Sequence, residues 1–322
     1  MRTRSGARGV GRVVFSSRET LKRKRREPRA DTSVSAAPRL FLQSIFSVLF
    51  PSDCKICRTP LNNIARLPVC RECLDAITPL RVPQCLICGD RLRSAQLLMG
   101  GGLCVNCREC RPDFERAVSF GEYRDGLRTL IHLLKYEAVI PARSPLGRML
   151  AEAISELLPG AGEGKPLLVP VPLHRSRRRS RGFNQAELIA RAAFRRLPHK
   201  LEFAPGILVR RRETISQVGL SREERIQNMR GAFHVSDRGR VKGRNVIVVD
   251  DVMTTGTTLS ECARVLRQAG AAKVWAATVA RAFHGVELPE FAESREEEEV
   301  EAAVGAASAR TVLAGDTTPA SV

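Results

Sequence analysis

The sequence predicts an α/β fold, with an open and mainly parallel sheet that is flanked by helices and preceded by a small cysteine-rich unit. Three observations support this prediction. Four consecutive β-branched residues, 246–249, are typical of a strand buried on both faces, as in a parallel sheet. Strand-like and helix-like segments alternate from residue 114 to residue 281. Before them, eight cysteines stand in four pairs within residues 54–107.

The segment after the buried strand predicts a site for a phosphorylated sugar. Asp250 and Asp251 follow the strand, and the helical spacing that begins at residue 257 is expected to end at Gly270. Loop amides, hydroxyl groups and a helix N-terminus favour an anion, whereas the two carboxylates suit sugar hydroxyls or a bound magnesium ion. The predicted phosphate cradle consists of Thr254, Thr255, Gly256, Thr257 and Thr258.

Hydrophobic spacing places the remaining elements. Strands are predicted at residues 117–123, 167–172, 207–212 and 273–281, and helices at residues 127–136, 146–158 and 184–197. Asn184 is the expected N-cap of the last of these helices, and Trp275 is expected in the core. Segment 213–231 is polar, and the sequence leaves two interpretations of it open, a mobile lid and a surface excursion.

An arginine-rich stretch lies between the second predicted strand and the last of these helices. Residues 175–181 contain five arginines and no acidic residue. We predict a cationic loop at the carboxyl edge of the sheet, which is where open α/β sheets bind their ligands. A solubilising surface loop is the alternative, and the absence of any acid argues against it.

The eight paired cysteines predict two structural metal sites. The pairs, each with the spacing CxxC, are Cys54/Cys57, Cys70/Cys73, Cys85/Cys88 and Cys104/Cys107. Consecutive pairs suit two tetrahedral zinc ions, each held by four thiolates in a zinc ribbon. A crossed arrangement, first pair with third and second with fourth, stays open. Four thiolates leave no open coordination position, so no catalytic metal is implied, and Cys110 is left outside the pattern.

Composition divides the chain into four predicted parts. Residues 1–39 are expected to be a disordered basic tail, residues 40–112 a double zinc ribbon, residues 113–286 the α/β domain and residues 287–322 a disordered acidic tail. The net charge of the whole chain is +19. The region between residues 41 and 286 carries 39 basic and 22 acidic residues, a net charge of +17. The folded part is therefore expected to bind anionic partners.

No segment is expected to enter a membrane. The longest apolar run, residues 40–50, predicts a short helix and falls well below the roughly 20 residues that a membrane-spanning helix needs. The basic amino terminus lacks the apolar core of a signal peptide. We therefore expect a cytoplasmic protein with reduced thiols, which favours metal sites over disulfides.

Residues 246–258 closely resemble the phosphoribosyl pyrophosphate (PRPP) signature of type I phosphoribosyltransferases. Together with the cysteine pairs, the stretch PLHRSRRRSRGFNQ and the stretch QVGLSREERIQN, they resemble the ComF family. The resemblance covers roughly residues 40–284. It implies a double zinc ribbon joined to a type I phosphoribosyltransferase-like domain. It also implies a link to natural competence, in which incoming DNA is single-stranded.

The same resemblance implies roles for individual residues. Asp250 and Asp251 resemble the carboxylates beside the ribose hydroxyls and magnesium, and the Thr/Gly loop resembles the 5′-phosphate cradle. Arg177 and Arg181 stand at the position of the pyrophosphate loop. Three polar residues stand in the stretch that corresponds to a flexible loop: Gln217, Arg225 and Asn228.

Two functions of different classes remain. The first is magnesium-dependent transfer of the phosphoribosyl group from PRPP to a base or another small acceptor, in DNA uptake or nucleotide metabolism. Its predicted catalytic residues are Asp250, Asp251, Arg177 and Arg181. The second is non-catalytic binding of single-stranded DNA on the same fold, which the scarcity of aromatic residues (15 in all) weakens because such proteins usually stack bases. Helicase-type competence proteins are partners that the family resemblance implies.

Overall fold

A computed structural model describes five ranges of the chain: residues 53–61, 66–92, 101–162, 164–213 and 222–283. The helix predicted at residues 40–50, both predicted tails and Gln217 lie outside these ranges. Within them, no helix is both long enough and apolar enough to cross a membrane.

A five-stranded parallel sheet forms the centre of the fold. The strands of the described residues are β1 (Ala117–Glu122), β2 (Leu167–Pro170), β3 (Glu202–Phe203), β4 (Leu208–Arg210), β5 (Phe233–Val235), β6 (Asn245–Met253) and β7 (Lys273–Arg281). The sheet has the order β1-β7-β6-β2-β3, and every neighbouring pair is parallel. All five carboxyl ends therefore lie at one edge. β4 and β5 form a separate antiparallel pair.

Helices cover both faces of the sheet, which confirms the predicted fold class. The α-helices of the described residues are α1 (Arg71–Asp75), α2 (Val105–Glu109), α3 (Asp125–Lys135), α4 (Arg143–Ser155), α5 (Arg175–Arg181), α6 (Gln185–Phe194), α7 (Arg222–Met229) and α8 (Thr257–Gln268), and two short 3-10 helices cover Ile140–Ala142 and Leu158–Ala161. Ile247 and Val249 of β6 pack with α3, α4 and α6 in one buried cluster. Val246 and Val248 pack with α8 in a second cluster on the other face. The β-branched run is thus buried on both sides, as its composition predicts.

The acidic pair lies inside β6 rather than after it, which corrects the sequence-based expectation. β6 continues to Met253 because its parallel pairing with β7 runs past the pair, with Asp250 opposite Thr278 and Met253 opposite Arg281. Alternation along the strand leaves Asp250 partly exposed, whereas Asp251 is 4% exposed.

The arginine-rich stretch is a helix, α5, and the predicted loop is wrong. At its N-terminus the ring of His174 accepts a hydrogen bond from the amide of Ser176. At its C-terminus Gly182 has a φ of 79°, in the left-handed region that ends many helices. Arginine is a strong helix former, and these two caps mark the ends of the short helix. The arginines stay near the carboxyl edge because α5 follows β2 after four residues.

The two cysteine-rich units repeat one design. In each, the CxxC knuckle is closed by an amide, that of Arg58 or Gly89, which donates 2.9 Å to the carbonyl of the first cysteine. These two residues have similar positive φ values, 65° and 69°. The third cysteine of each unit, Cys70 or Cys104, is the N-cap of a five-residue helix.

Both cysteine-rich units pack directly on the sheet. The amide of Leu80, between the units, donates 2.7 Å to the carbonyl of Phe120 on β1. The amide of Ala117 donates 2.6 Å to the carbonyl of Ile87 in the second knuckle. The one buried cysteine of the first unit, Cys54, shares a cluster with α3 and α4, and the four of the second share a cluster with β2 and β6. The predicted boundary at residues 112 and 113 stays a prediction.

Close packing of α4 on α6 depends on Gly147, because a Cβ at this position would stand 2.4 Å from the Cβ of Ala192. We expect Gly147→Ala to lower the free energy of unfolding by about 1–3 kcal/mol, measured by chemical denaturation. Gly160→Ala is the matched control, since nothing lies within 4 Å of a Cβ there. Equal stability of the two variants would contradict the packing argument.

Candidate ligand site and metal centres

One residue of the acidic pair, Asp251, forms an ion pair with a lysine of α3 at the carboxyl edge of the sheet. Lys135, the last residue of α3, has its Nζ 3.3 Å from Oδ2 of Asp251. The two side chains are 15% and 6% exposed, so the ion pair is largely removed from water. Oδ1 of Asp251 accepts a hydrogen bond of 2.7 Å from the amide of Val252. The sequence carries no local signal for Lys135, because only the topology brings the end of α3 to β6.

Burial sets the protonation of this pair. Burial, and then the negative charge of Asp251, raises the pKa of Asp250 to about 7. Burial also opposes the charge of Lys135, but the carboxylate of Asp251 outweighs it, so the pKa of Lys135 lies above its ordinary value. The site therefore holds one carboxylate that is already paired and a second carboxyl group that a bound cation can readily ionise near neutral pH.

The Thr/Gly loop joins β6 to α8 and presents a helix N-terminus. Gly256 is the N-cap of α8 with a φ of 79°, and a Cβ there would lie 2.6 Å from Cε of Met253. The Oγ1 atoms of Thr255 and Thr257 lie 2.9 Å apart. Thr254 is exposed and the other threonines of the loop are half-buried. The loop therefore has backbone and polar groups that suit an anion, and its role as a phosphate cradle stays a prediction.

Arg177 and Arg181 lie four residues apart on α5, and both are half-buried, whereas the other three arginines of this helix are exposed. The guanidinium of Arg181 donates 2.9 Å to Oε1 of Gln185 and lies 5.5 Å from the ring centroid of Tyr136. Tyr136 directly follows Lys135. The end of α3 thus connects the acidic pair to the arginine helix.

A further arginine, Arg210, reaches the site from β4. Burial, and then the positive charge of Arg177, lowers the pKa of Arg210, and the charge of Asp250 acts against that shift. The sequence does not single out Arg210, because residues 207–212 are typical only of a strand. Cys262 of α8 is fully buried, and burial raises its thiol pKa well above the ordinary value. A buried thiol that stays protonated is a poor nucleophile, so Cys262 is not expected to take part in the chemistry.

The polar segment after β4 contacts both the arginine helix and α8. Glu213 accepts a hydrogen bond from the hydroxyl of Ser176 in α5. Glu261 of α8 accepts a 2.7 Å hydrogen bond from the amide of Gly231. Of the three polar residues expected in the flexible loop, Arg225 and Asn228 lie on α7 and Gln217 is outside the described residues.

Each cysteine group has the geometry of a tetrahedral metal site. The groups are Cys54, Cys57, Cys70 and Cys73, and Cys85, Cys88, Cys104 and Cys107, with all sulfurs of a group within 4.8 Å of one another. The sulfurs of Cys57 and Cys70 are 3.7 Å apart. A zinc tetrahedron with bonds of about 2.3 Å predicts roughly 3.8 Å. The pairing is therefore consecutive, the crossed arrangement is excluded, and Cys110 belongs to neither group.

The two groups differ in exposure. In the first, Cys57 is exposed and two further cysteines are half-buried, whereas all four cysteines of the second are buried. None of the ten cysteines forms a disulfide. Burial opposes ionisation of Cys54, but the amides of Cys57, Cys70 and Ile56 lower the pKa of its thiol to about 6. A thiolate is therefore readily formed in the first group, and both groups fit zinc.

The fold and the site define a phosphoribosyltransferase-like protein, and residues 183–309 match the family described as phosphoribosyl transferase domain. The chain is 32% identical to competence protein F of Haemophilus influenzae over 242 residues, 72% of this chain and 98% of that protein. It is 32% identical to DNA utilization protein YhgH of Escherichia coli K12, over 70% of this chain and 94% of that protein. The chain belongs to the ComF family. A solved glutamine PRPP amidotransferase from B. subtilis matches 44% of this chain and 26% of that chain, at 25% identity and a TM-score of 0.29.

The pair of Lys135 and Asp251 should contribute strongly to stability. We expect Lys135→Met to lower the free energy of unfolding by roughly 3 kcal/mol, because it leaves a buried carboxylate without its partner. Chemical denaturation at neutral pH measures the change. The double variant Lys135→Met/Asp251→Asn should recover most of the loss, since no unpaired charge remains. A single variant as stable as the wild type would show that the pair is not needed.

The raised pKa of Asp250, about 7, makes stability depend on pH. Because an unfolded Asp ionises near pH 4, the folded state holds an extra proton between about pH 4 and 7. The stability that this proton contributes is present below that window and is lost as the pH rises through it. Without magnesium and PRPP, Asp250→Asn should therefore gain Tm relative to the wild type between about pH 5 and 8. Thermal unfolding measures the Tm of both proteins across this pH range. A difference in Tm between Asp250→Asn and the wild type that does not change with pH would contradict the raised pKa.

Proposed function

We propose that this protein is a magnesium-dependent phosphoribosyltransferase that binds PRPP at the carboxyl edge of β2 and β6. The observation that carries the proposal is that an acidic pair, a Thr/Gly anion loop and an arginine helix lie at one edge of a parallel sheet. The names competence protein F and DNA utilization protein YhgH support a role in DNA uptake or nucleotide metabolism. The cytoplasm is the proposed location, and two zinc ions have a structural role.

Each part of the site suits one part of PRPP. The loop of residues 254–258 takes the 5′-phosphate, since its backbone turns into a helix N-terminus. Asp250 and Asp251 take the ribose hydroxyls on the magnesium side. Arg177 and Arg181 take the pyrophosphate, since they are the half-buried arginines of α5. Four thiolates leave no open position on either zinc, so the metal centres take no part in the transfer.

The transfer depends on charge stabilisation. The bond between C1 of the ribose and the pyrophosphate oxygen breaks, the acceptor nucleophile bonds to C1, and the acceptor loses its proton to solvent. Arg177 and Arg181 stabilise the negative charge of the departing pyrophosphate, and Asp251 is oriented by Lys135. Magnesium, when bound, supplies further positive charge to the pyrophosphate.

The exposed arginines of α5 favour single-stranded DNA binding as a second candidate function. Arg175, Arg178 and Arg179 are exposed on a helix at the carboxyl edge, and a cluster of arginines attracts a phosphate backbone. Helicase-type competence proteins are partners in this second function. If DNA and PRPP both bind to α5, DNA and PRPP should compete for the protein.

We expect calorimetry to show PRPP binding that requires magnesium. Asp250→Asn should weaken it by at least about tenfold, equivalent to about 1.4 kcal/mol, because the variant keeps the shape of the side chain but loses its charge. Asp237→Asn is the control, since Asp237 is an exposed carboxylate in the turn after β5. PRPP binding that persists with magnesium chelated, or is equal in both variants, would contradict the assignment.

A turnover assay separates the two functions. Purified protein is incubated with PRPP, magnesium and a panel of bases, and pyrophosphate release is measured. Release that depends on one acceptor supports transfer. No release with any acceptor, together with binding of a single-stranded oligonucleotide that PRPP displaces, supports the second function.

A further inference from the structure

Arg281, the last residue of β7, is a buried cation that its contacts do not satisfy. Its side chain is 4% exposed. Its Nη2 lies 3.8 Å from Oδ1 of Asp90, whereas Nε and Nη1 have no hydrogen-bond partner among the described residues. A guanidinium carries five N–H donors, and burying a charge that is poorly paired costs several kcal/mol. A further negative charge is needed nearby.

The second cysteine group is the neighbour that can supply this charge. Asp90 ends the turn of the Cys85 and Cys88 knuckle, and its carbonyl accepts a 2.7 Å hydrogen bond from the amide of Cys85. Arg281 therefore holds the metal-binding knuckle through the carboxylate of Asp90. Asp90 follows Cys88 by two residues, so the guanidinium of Arg281 lies beside the metal-binding knuckle.

The charge of a loaded site explains why only this group needs a buried cation. Four thiolates and one zinc ion carry a net charge of about −2. Water reaches the first group, in which Cys57 is exposed, but all four cysteines of the second are buried. We infer that Arg281 is the counter-cation of the second zinc site, where it positions the Cys85 and Cys88 knuckle and offsets the charge of the zinc-bound thiolates.

This assignment links the zinc ribbon to the sheet. Arg281 lies opposite Met253 of β6 and opposite Glu122 of β1. Loss of zinc from the second site leaves a buried, poorly paired arginine one strand away from the acidic pair. Zinc at this site therefore stabilises the carboxyl edge of the sheet as well as the ribbon.

Zinc release from the full chain tests the inference, with a chromogenic chelator as the readout. The Cys57→Ser chain identifies the second site, because it lacks a ligand of the first. In that chain and in the wild type, Arg281→Met should weaken zinc binding at the second site roughly 10–100-fold, the usual effect of losing a residue that supports metal ligands, and zinc should leave that site faster. Arg281→Lys should retain zinc better than Arg281→Met, because it keeps the charge.

Two comparisons separate the counter-cation role from a purely structural one. Arg116→Met removes an exposed arginine, paired with Glu156 at 3.8 Å, and should leave both release rates unchanged. After complete chelation, Arg281→Met should unfold at a higher temperature than the wild type, because the unpaired charge is gone. The inference would be overturned if Arg281→Met left the release rate of the second zinc unchanged, or if it accelerated release equally at both sites. It would also be overturned if Arg281→Met were less stable than the wild type both with and without zinc.

Discussion

Parallel pairing of β6 with β2 on one side and β7 on the other is the constraint on which the rest of the structure depends. It brings the carboxyl ends of three strands together, so the acidic pair, the arginine helix and Arg281 lie at one edge although they are far apart in sequence. It also places Asp250 where desolvation and the adjacent charge of Asp251 raise its pKa. The helices supply the compensating charges, since Lys135 arrives at the end of α3.

The two buried carboxylates of the described residues each have a basic neighbour, whereas the buried Arg281 is poorly paired. Asp251 has a lysine at 3.3 Å, and Glu261 accepts two hydrogen bonds of 2.7 Å from Arg264 within the same helix. The chain has a net charge of +19, and Arg281 is the one buried basic residue among the described residues, so most of the excess positive charge lies at the surface. A basic protein of this kind can attract anions over a distance without a destabilised core, because the excess lies where water screens it.

The sequence predicts those parts of the fold and the candidate site that depend on local pattern. Local sequence encodes the β-branched run, the Thr/Gly turn into α8 and the CxxC knuckles. The structure confirms that the β-branched run is a buried strand and that the eight paired cysteines form two groups of four. Lys135, Arg210 and Arg281 escape prediction because isolated cations carry no local signal and acquire a role only through strand order. The error at α5 has the opposite origin: the density of arginines suggests a loop for ligand binding, but their helix propensity and the glycine at the C-terminus decide the backbone.

The position of β7 has a consequence for how the chain acquires its shape. β7 is the last described strand along the sequence, yet it lies between β1 and β6, and the hydroxyls of Ser119 and Thr278 meet at 2.7 Å across a separation of 159 residues. Until residues 273–281 have been synthesised, β1 and β6 have no strand between them, and the edge of each strand that pairs with β7 is unpaired. Such long-range pairing is slow and exposes the nascent chain to aggregation. The early ribbon, whose backbone bonds to β1, covers only the outer edge of that strand and leaves the edge for β7 open.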